Sequence, residues 1–281
     1  MPNMWNRLRD WLIDPRVRDL DADGTDFSIA HRSILLRKRM LRELFRKFYA
    51  ECRAADLRYF GSCKGMQLEI GSGSSIIKEF YPEVITSDIK PLPFVDLVLN
   101  AHHFPFRDES LRAVYGINVF HHIASPRSFF LELRRVLQPG GGAVLIEPYH
   151  GPCARWLFRH LHKTETYDMG APGWEADAAA GSSTKANQAL SYVVFTRDRA
   201  RFEVAFPDLR ILSQKPHTHL WYLASGGVNF RQLAPTWTTP LIRGVEFLLR
   251  PFNRWLALQH LIVLRKGEAT RGASAPPEHQ A

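Results

Sequence analysis

In "LEIGSGSS", Gly71 and Gly73 flank Ser72 and follow an apolar run that carries Glu69. A Gly-x-Gly turn lets the backbone approach a ligand that side chains would hold off. The next β-prone run closes on a carboxylate, Asp88 in "TSDIK". A carboxylate at such a strand end can accept hydrogen bonds from both hydroxyls of a ribose. Loop and carboxylate together point to a nucleoside-containing cofactor. A dinucleotide loop asks for a third glycine, and that position is Ile76. This substitution and the lack of a Tyr-x-x-x-Lys pair count against a nicotinamide-linked oxidoreductase.

A second group of residues could move protons. His121 and His122 follow the run "LRAVYGINV", and Glu147, Tyr149 and His150 stand at or after "AVLIEP". Imidazole titrates near neutrality, so His121 and His150 are the candidate catalytic bases. A base is needed only where an acceptor must lose a proton. His160, His162 and Glu165 in "RHLHKTETYD" invite a metal reading, but residues i and i+2 of a helix point apart, and no metal site is expected. On a strand, His217 and His219 of "HTH" would share a face as a solvated or pocket-facing pair. Cys52, Cys63 and Cys153 are odd in number and form no C-x-x-C pair, which predicts a reduced chain with neither disulfides nor zinc.

The elements that must position these groups are read from periodicity. Short β-prone runs, "MQLEI", "VITSDI", "VDLVLN", "LRAVYGINV", "AVLIEP", "LRILSQKPHTH" and "QHLIVLRK", alternate with helical segments. The spacing predicts a short helix over 74–81 and an amphipathic helix in "SPRSFFLELRRVL", with Ser125 as N-cap and Pro126 in its first position. "QPGGG" is expected to end that helix. Strand–helix alternation of this kind predicts an α/β fold: a Rossmann-like, doubly wound, mostly parallel sheet of about seven strands. Ligands of such sheets bind at the carboxyl ends of the strands, where the Gly-Ser loop falls.

The predicted organisation is an N-terminal helical extension over 1–60, a main domain over 61–266 with helical insertions near 151–195 and 222–256, and a disordered tail over 267–281. The formal charge of +9 has one concentrated source, "HRSILLRKRMLRELFRKFYAECR", residues 31–53, with eight Lys/Arg against Glu43 and Glu51. Leu41, Leu44, Phe45, Phe48 and Cys52 recur at helical spacing there, which predicts one basic amphipathic helix. It is read as a docked helix with a solvated cationic face, with peripheral contact to an anionic membrane as the second reading. No aromatic-basic module accompanies it, so no nucleic-acid partner is expected. No apolar run is long enough to span a bilayer, and the first residues lack a secretion signal, so a cytoplasmic protein is expected.

"LEIGSGSS", "TSDIK", "LNAHHFPFRDESLRAVYGINVFHHI" and "LELRRVLQPGGGAVLIEP" occur in this order. Together they resemble the class I S-adenosylmethionine-dependent methyltransferases, type 11-like, in the branch with the ubiquinone/menaquinone-type enzymes. The likeness covers about residues 66–150, and the whole chain is similar to a bacterial subgroup that implies no particular acceptor. The resemblance implies S-adenosyl-L-methionine as cofactor. It places Glu69, Gly71, Ser72 and Gly73 at the methionine half, Asp88 at the ribose, Asn100 and Ala101 at the adenine edge, and Asn118 at the methyl-donor pocket. Two departures stand out. Ser75 replaces a frequent third glycine, and Arg112 replaces the usual Asp of a Phe-Asp pair, a change expected to matter little. The implied activity is methyl transfer to a small-molecule or lipid- or glycan-linked acceptor, with oxygen preferred. The alternative from another class is a non-catalytic cofactor-binding module that regulates a partner.

Overall fold

Along the central strands, neighbouring residues part to opposite faces, and this alternation builds two cores. The computed structural model describes residues 10–161, 165–175 and 186–267. Within them one sheet holds β1 (Met66–Ile70), β2 (Ile85–Asp88), β3 (Leu97–Val98), β4 (Leu111–Ile117), β5 (Leu137–Pro148), β6 (Leu209–His217) and β7 (Gln259–Lys266). The order across it is β3-β2-β1-β4-β5-β7-β6. Only β7 runs antiparallel to its neighbours. The winding reverses between β1 and β4, which opens a crevice at their carboxyl ends. The expected mostly parallel, seven-stranded sheet is therefore present.

Ala143 and Leu145 of β5, with Ile262 and Leu264 of β7, pack against Phe129, Phe130 and Leu133. Those three belong to a helix, Pro126–Val136. Val144, Ile146, Leu261 and Val263 enter the opposite core with Leu41, Leu44 and Phe48. A strand covered on both faces reads as an unbroken apolar run, and period two sorts its residues between the layers. Ser125 caps the Pro126–Val136 helix as expected, its Oγ accepting from the Ser128 N–H at 3.3 Å.

The basic segment 31–53 does not form one helix. α1 (Thr25–Arg37) ends and α2 (Arg39–Phe60) begins around Lys38, whose backbone is extended. The break follows from burying an ammonium group, which needs partners. Lys38 Nζ donates to the carbonyls of Gly227 (3.1 Å) and Phe230 and lies 3.5 Å from Asp14. Much of the remaining charge is also engaged: Arg42 with Glu79 at 2.7 Å, Arg53 with Asp56 at 3.3 Å, and Arg32 with the Ser75 carbonyl.

Other expectations need correction. The helix over 74–81 is a single 3-10 turn, Ile77–Glu79. "QPGGG" is not a turn but the start of β5, which follows directly on α3 (Pro126–Val136). Gly142 pairs with Ala113 and Arg265, and a Cβ there would lie 2.1 Å from the Leu264 carbonyl and 2.4 Å from the Phe60 ring. That glycine serves close packing. Arg112 is also more consequential than expected. Its Nε donates at 2.8 Å to the fully buried Asp56, which also accepts from Tyr115 Oη (2.6 Å) and Gln67 Nε2 (2.8 Å). The arginine thus ties β4 to α2.

The helices after β5 are α4 (Pro152–His160), α5 (Arg199–Ala205), α6 (Leu220–Ser225), α7 (Thr239–Leu248) and α8 (Asn253–Leu256). A helical turn at Leu190–Tyr192 and a π-helical turn at Val193–Arg197 precede α5. The "HTH" pair does not share a strand face: β6 ends at His217, Thr218 turns with φ of 60°, and both histidines are buried rather than solvated. His162 and the tail from residue 268 lie outside the described residues. Among the described residues no helix is long and apolar enough to cross a membrane.

Candidate active site

The Gly-Ser loop is stitched to its neighbours by short polar contacts. Buried Ser72 donates its Oγ to Glu69 Oε2 at 2.8 Å, and its backbone N–H donates to the Ser87 carbonyl at 2.8 Å. Gly73 N–H donates to Asp88 Oδ2 at 2.9 Å, and Lys90 N–H to Asp88 Oδ1 at 2.9 Å. Each carboxylate oxygen keeps a further lone pair for a ligand. Burial pushes the Asp88 carboxyl up, while the N–H groups of Lys90 and Gly73 pull it back. Burial also lifts Glu69 to about 7, against the pull of its serine hydrogen bonds.

The two glycines differ in task. Gly71 has φ of 62°, and a Cβ there would sit 2.2 Å from Val119 Cγ2, so it lets β1 and the loop after β4 pack together. Around Gly73 a Cβ would meet only Asp88 Oδ2 at 3.2 Å and Ser28 Oγ at 3.9 Å. Gly73 is the residue that leaves space beside the carboxylate. Ser75, the departure from the three-glycine pattern, binds Tyr49 Oη at 3.0 Å and accepts from Ile77 N–H at 3.1 Å. With the Arg32 contact to its carbonyl, it fastens the loop to α1 and α2.

On the β1 side of the switch point, Leu99 N–H donates to the Asp88 carbonyl at 2.8 Å, continuing the β2–β3 pairing and bringing Asn100 and Ala101 to the side of Asp88. Asn100 is exposed, and its Oδ1 accepts from His102 N–H at 3.0 Å. Beside Asp88, Ile89 is 66% exposed, an apolar surface next to a carboxylate. A single exposed isoleucine carries no pattern legible in sequence. Asn118 adopts φ of 52°, and its Oδ1 accepts from Gln259 Nε2 at 3.1 Å.

The other end of the crevice is built on Glu147, the penultimate residue of β5. Its Oε1 accepts from the N–H groups of Val119 (2.9 Å) and Phe120 (2.8 Å). Its Oε2 lies 2.6 Å from His121 Nδ1. On the far side, His121 Nε2 is 3.4 Å from Glu165 Oε2, and His122 Nε2 is 3.7 Å from Glu165 Oε1. Burial alone would depress His121, but the Glu147 and Glu165 carboxylates outweigh it and raise its pKa to about 10. Burial and the charge on His121 push His122 down to about 4. The pair therefore holds one imidazolium and one neutral imidazole.

Glu165 joins this cluster and not His160, which is exposed and bonds to the Trp156 carbonyl at 2.7 Å. No motif in the sequence links Glu165 to His121. The ligating atoms of His121, His122 and Glu165 all lie within 4.8 Å of one another. They are residue types that can ligate a divalent metal, and they share only Glu165 with the trio weighed in the sequence. His150 is held apart among Tyr149, Tyr192 and His260, with ring centroids at 4.4, 4.8 and 6.0 Å. Burial and Arg155 lower its pKa to about 4. Among the described residues its Nδ1 has no hydrogen-bond partner, and no hydrogen bond or ring contact joins it to His121.

The strand order, the reversed β7 and a loop-plus-carboxylate site at the switch point define the class I methyltransferase architecture. Residues 68–145 match the family model described as "Methyltransferase domain". The chain thus carries a class I S-adenosylmethionine-dependent methyltransferase domain, with S-adenosyl-L-methionine as its cofactor. A comparison with curated proteins finds no match. Among solved structures, geranyl diphosphate C-methyltransferase from Streptomyces coelicolor A3(2), in complex with Mg2+, geranyl diphosphate and S-adenosyl-L-homocysteine, is 14% identical. That similarity covers 91% of this chain and 88% of the other, with a TM-score of 0.44. A SAM-dependent methyltransferase from Archaeoglobus fulgidus is 15% identical over 79% of this chain and 94% of the other, with a TM-score of 0.45. These likenesses are similarities only; the family match and the strand order carry the assignment.

Proposed function

We propose that this methyltransferase acts on an oxygen of a small-molecule or lipid- or glycan-linked acceptor, within the ubiquinone/menaquinone-type branch. The observation that carries the oxygen preference is the Glu147–His121–Glu165 chain of charged groups at the end of β4 and β5. The cofactor, when bound, supplies an electrophilic methyl group on a sulfonium. The protein's part in such a displacement is largely positioning.

Asp88 holds the ribose hydroxyls. Glu69, Gly71, Ser72 and Gly73 shape the methionine half, Asn100, Ala101 and the exposed Ile89 meet the adenine, and Asn118 stands at the donor pocket. A hydroxyl acceptor must lose its proton, and His121 alone is a poor base because it is held protonated. The relay as a whole has two carboxylates for one imidazolium, which leaves an unbalanced negative charge. A hydroxyl bridging His121 Nε2 and Glu165, 3.4 Å apart, passes its proton to Glu165 while the imidazolium stabilises the nascent oxyanion. His150 is the second candidate base. It is neutral at pH 7 but has no carboxylate to orient it.

The test is S-adenosylhomocysteine formation with fractionated cell metabolites, followed by mass analysis of the methylated product. Product methylated on oxygen is expected; a carbon- or nitrogen-methylated product removes the relay's purpose. Cofactor binding with no turnover on any fraction would favour the regulatory module, and tighter binding of NAD would revive the oxidoreductase. Dialysis against a chelator separates the proton relay, which survives it, from a metal on the His121, His122 and Glu165 set.

A further inference from the structure

Helix α7 is turned inside out. Thr239, Ile242 and Glu246, at helical spacing, face the protein. Thr239 is buried, Ile242 packs on the core, and the Glu246 carboxylate accepts from the N–H groups of His219 (3.0 Å) and Trp221 (2.9 Å). The outward face holds Leu241, Gly244, Val245 and Leu248, the i, i+3, i+4, i+7 spacing of an apolar stripe. Leu241 is 68% exposed and Leu248 73%. In a docked helix such a stripe faces the core; here it faces out and is framed by further exposed rings. Trp237 precedes it, Phe247 lies beside it, and Phe252 and Trp255 follow in a contact of 5.9 Å. A contiguous apolar surface of this kind marks an interaction site.

The charges of the segment name its partner. Arg250 and Arg254 follow the stripe, Arg243 stacks 5.4 Å from the buried Trp221 ring, and the only acid between Trp237 and Trp255, Glu246, is turned inward. Arg250 lies 4.8 Å from the Phe247 ring centre and Arg254 3.7 Å from that of Trp255. Apolar side chains flanked by arginines, with tryptophans among them, have the composition of a helix lying in the headgroup region of an anionic bilayer. Ten residues rise about 15 Å, half a bilayer core, so the segment can lie on a membrane but not cross it.

We propose that residues 236–255 dock this protein on an anionic lipid surface, with Leu241, Phe247 and Leu248 inserted and Arg250 and Arg254 at the phosphates. This relocates the membrane contact from the 31–53 segment, much of whose charge is engaged within the fold. It does not depend on the acceptor of the methyl group.

The test is co-sedimentation of the full chain with phosphatidylcholine vesicles, with and without phosphatidylglycerol, at low and high salt. Binding is expected only with phosphatidylglycerol and should weaken as salt rises. The double variant Leu241→Glu/Leu248→Glu should lose at least about ten-fold in binding. It should retain its melting temperature and S-adenosylmethionine affinity, since both side chains are exposed. Arg39→Glu/Arg46→Glu on α2 should bind like the parent. Equal binding by the α7 variant, loss confined to the α2 variant, or indifference to lipid charge would each overturn the proposal. So would a lipid-independent dimer that dissociates in the α7 variant, because a second copy would then be the occupant.

Discussion

The two ends of the crevice are built on different plans. At the proposed cofactor end, the contacts of Glu69 and Asp88 are short in sequence, Ser72 with Glu69, Gly73 with Asp88 and Asp88 with Lys90, while Ser75 reaches far, to Tyr49 and Arg32. Backbone N–H groups provide much of the contact, and charge is sparse. At the proposed acceptor end the links are long: Glu147 with His121 and His121 with Glu165. There side-chain charges dominate, and their protonation states depend on one another. On the proposed assignment, donor recognition uses a local, backbone-rich device, whereas the proposed acceptor chemistry uses groups that only the fold assembles.

The largest expected effect breaks the acceptor end alone. Glu147→Gln keeps the shape of the side chain but removes the charge that holds His121 protonated. Turnover should fall about a thousand-fold, within the range of acid–base contributions. Calorimetry should find S-adenosylmethionine affinity unchanged within about three-fold. A loss of affinity matching the loss of turnover would show that the two ends are not separate.

The reciprocal change is Asp88→Ala. Losing charge-assisted hydrogen bonds to two ribose hydroxyls should weaken S-adenosylmethionine binding about a hundred-fold by calorimetry. Unchanged affinity would sink the assignment of the donor site. Gly71→Ala tests the joint between the ends, because it places a methyl against Val119 at a positive φ. Denaturant unfolding should report a stability loss of about 2 kcal/mol from strain and overpacking.

The smallest effect is a pH signature in stability. His121 has a raised pKa of about 10, so its contribution is full below the unfolded value near 6.5 and is lost as pH rises to 10. His122 and His150, lowered to about 4, act in the opposite direction. They remain neutral in the fold, so stability falls as pH drops from 6.5 toward 4. Melting temperature should therefore peak near neutrality. In Glu147→Gln the alkaline slope should flatten, while the part of the acid slope that comes from the buried His150 persists. An unchanged alkaline slope would place the coupling elsewhere.

Legibility followed the same division. The Gly-Ser loop, Asp88, the capped helix after Ser125 and all seven strands could be read in sequence, since each is a local pattern of turn chemistry or period-two burial. The break at Lys38 could not, because propensity continues through it and only its burial against Gly227 and Phe230 ends the helix. Nor could Arg112, whose meaning lies in Asp56 on another element. The outward stripe of α7 lies in the segment 222–256, which reads in sequence only as a helical insertion, because periodicity does not show which way a face points.

By itself, then, the sequence determined the alternation of strands and helices, the donor loop with its carboxylate, and the nucleoside character of the cofactor. Short-range sterics and hydrogen bonding dictate all of these. Tertiary structure alone decided that Glu165 meets His121, that His121 is charged while His122 is neutral, and that α7 shows its leucines to the outside. Those outcomes depend on burial and on charges brought together across long separations, and neither exists until the chain has folded.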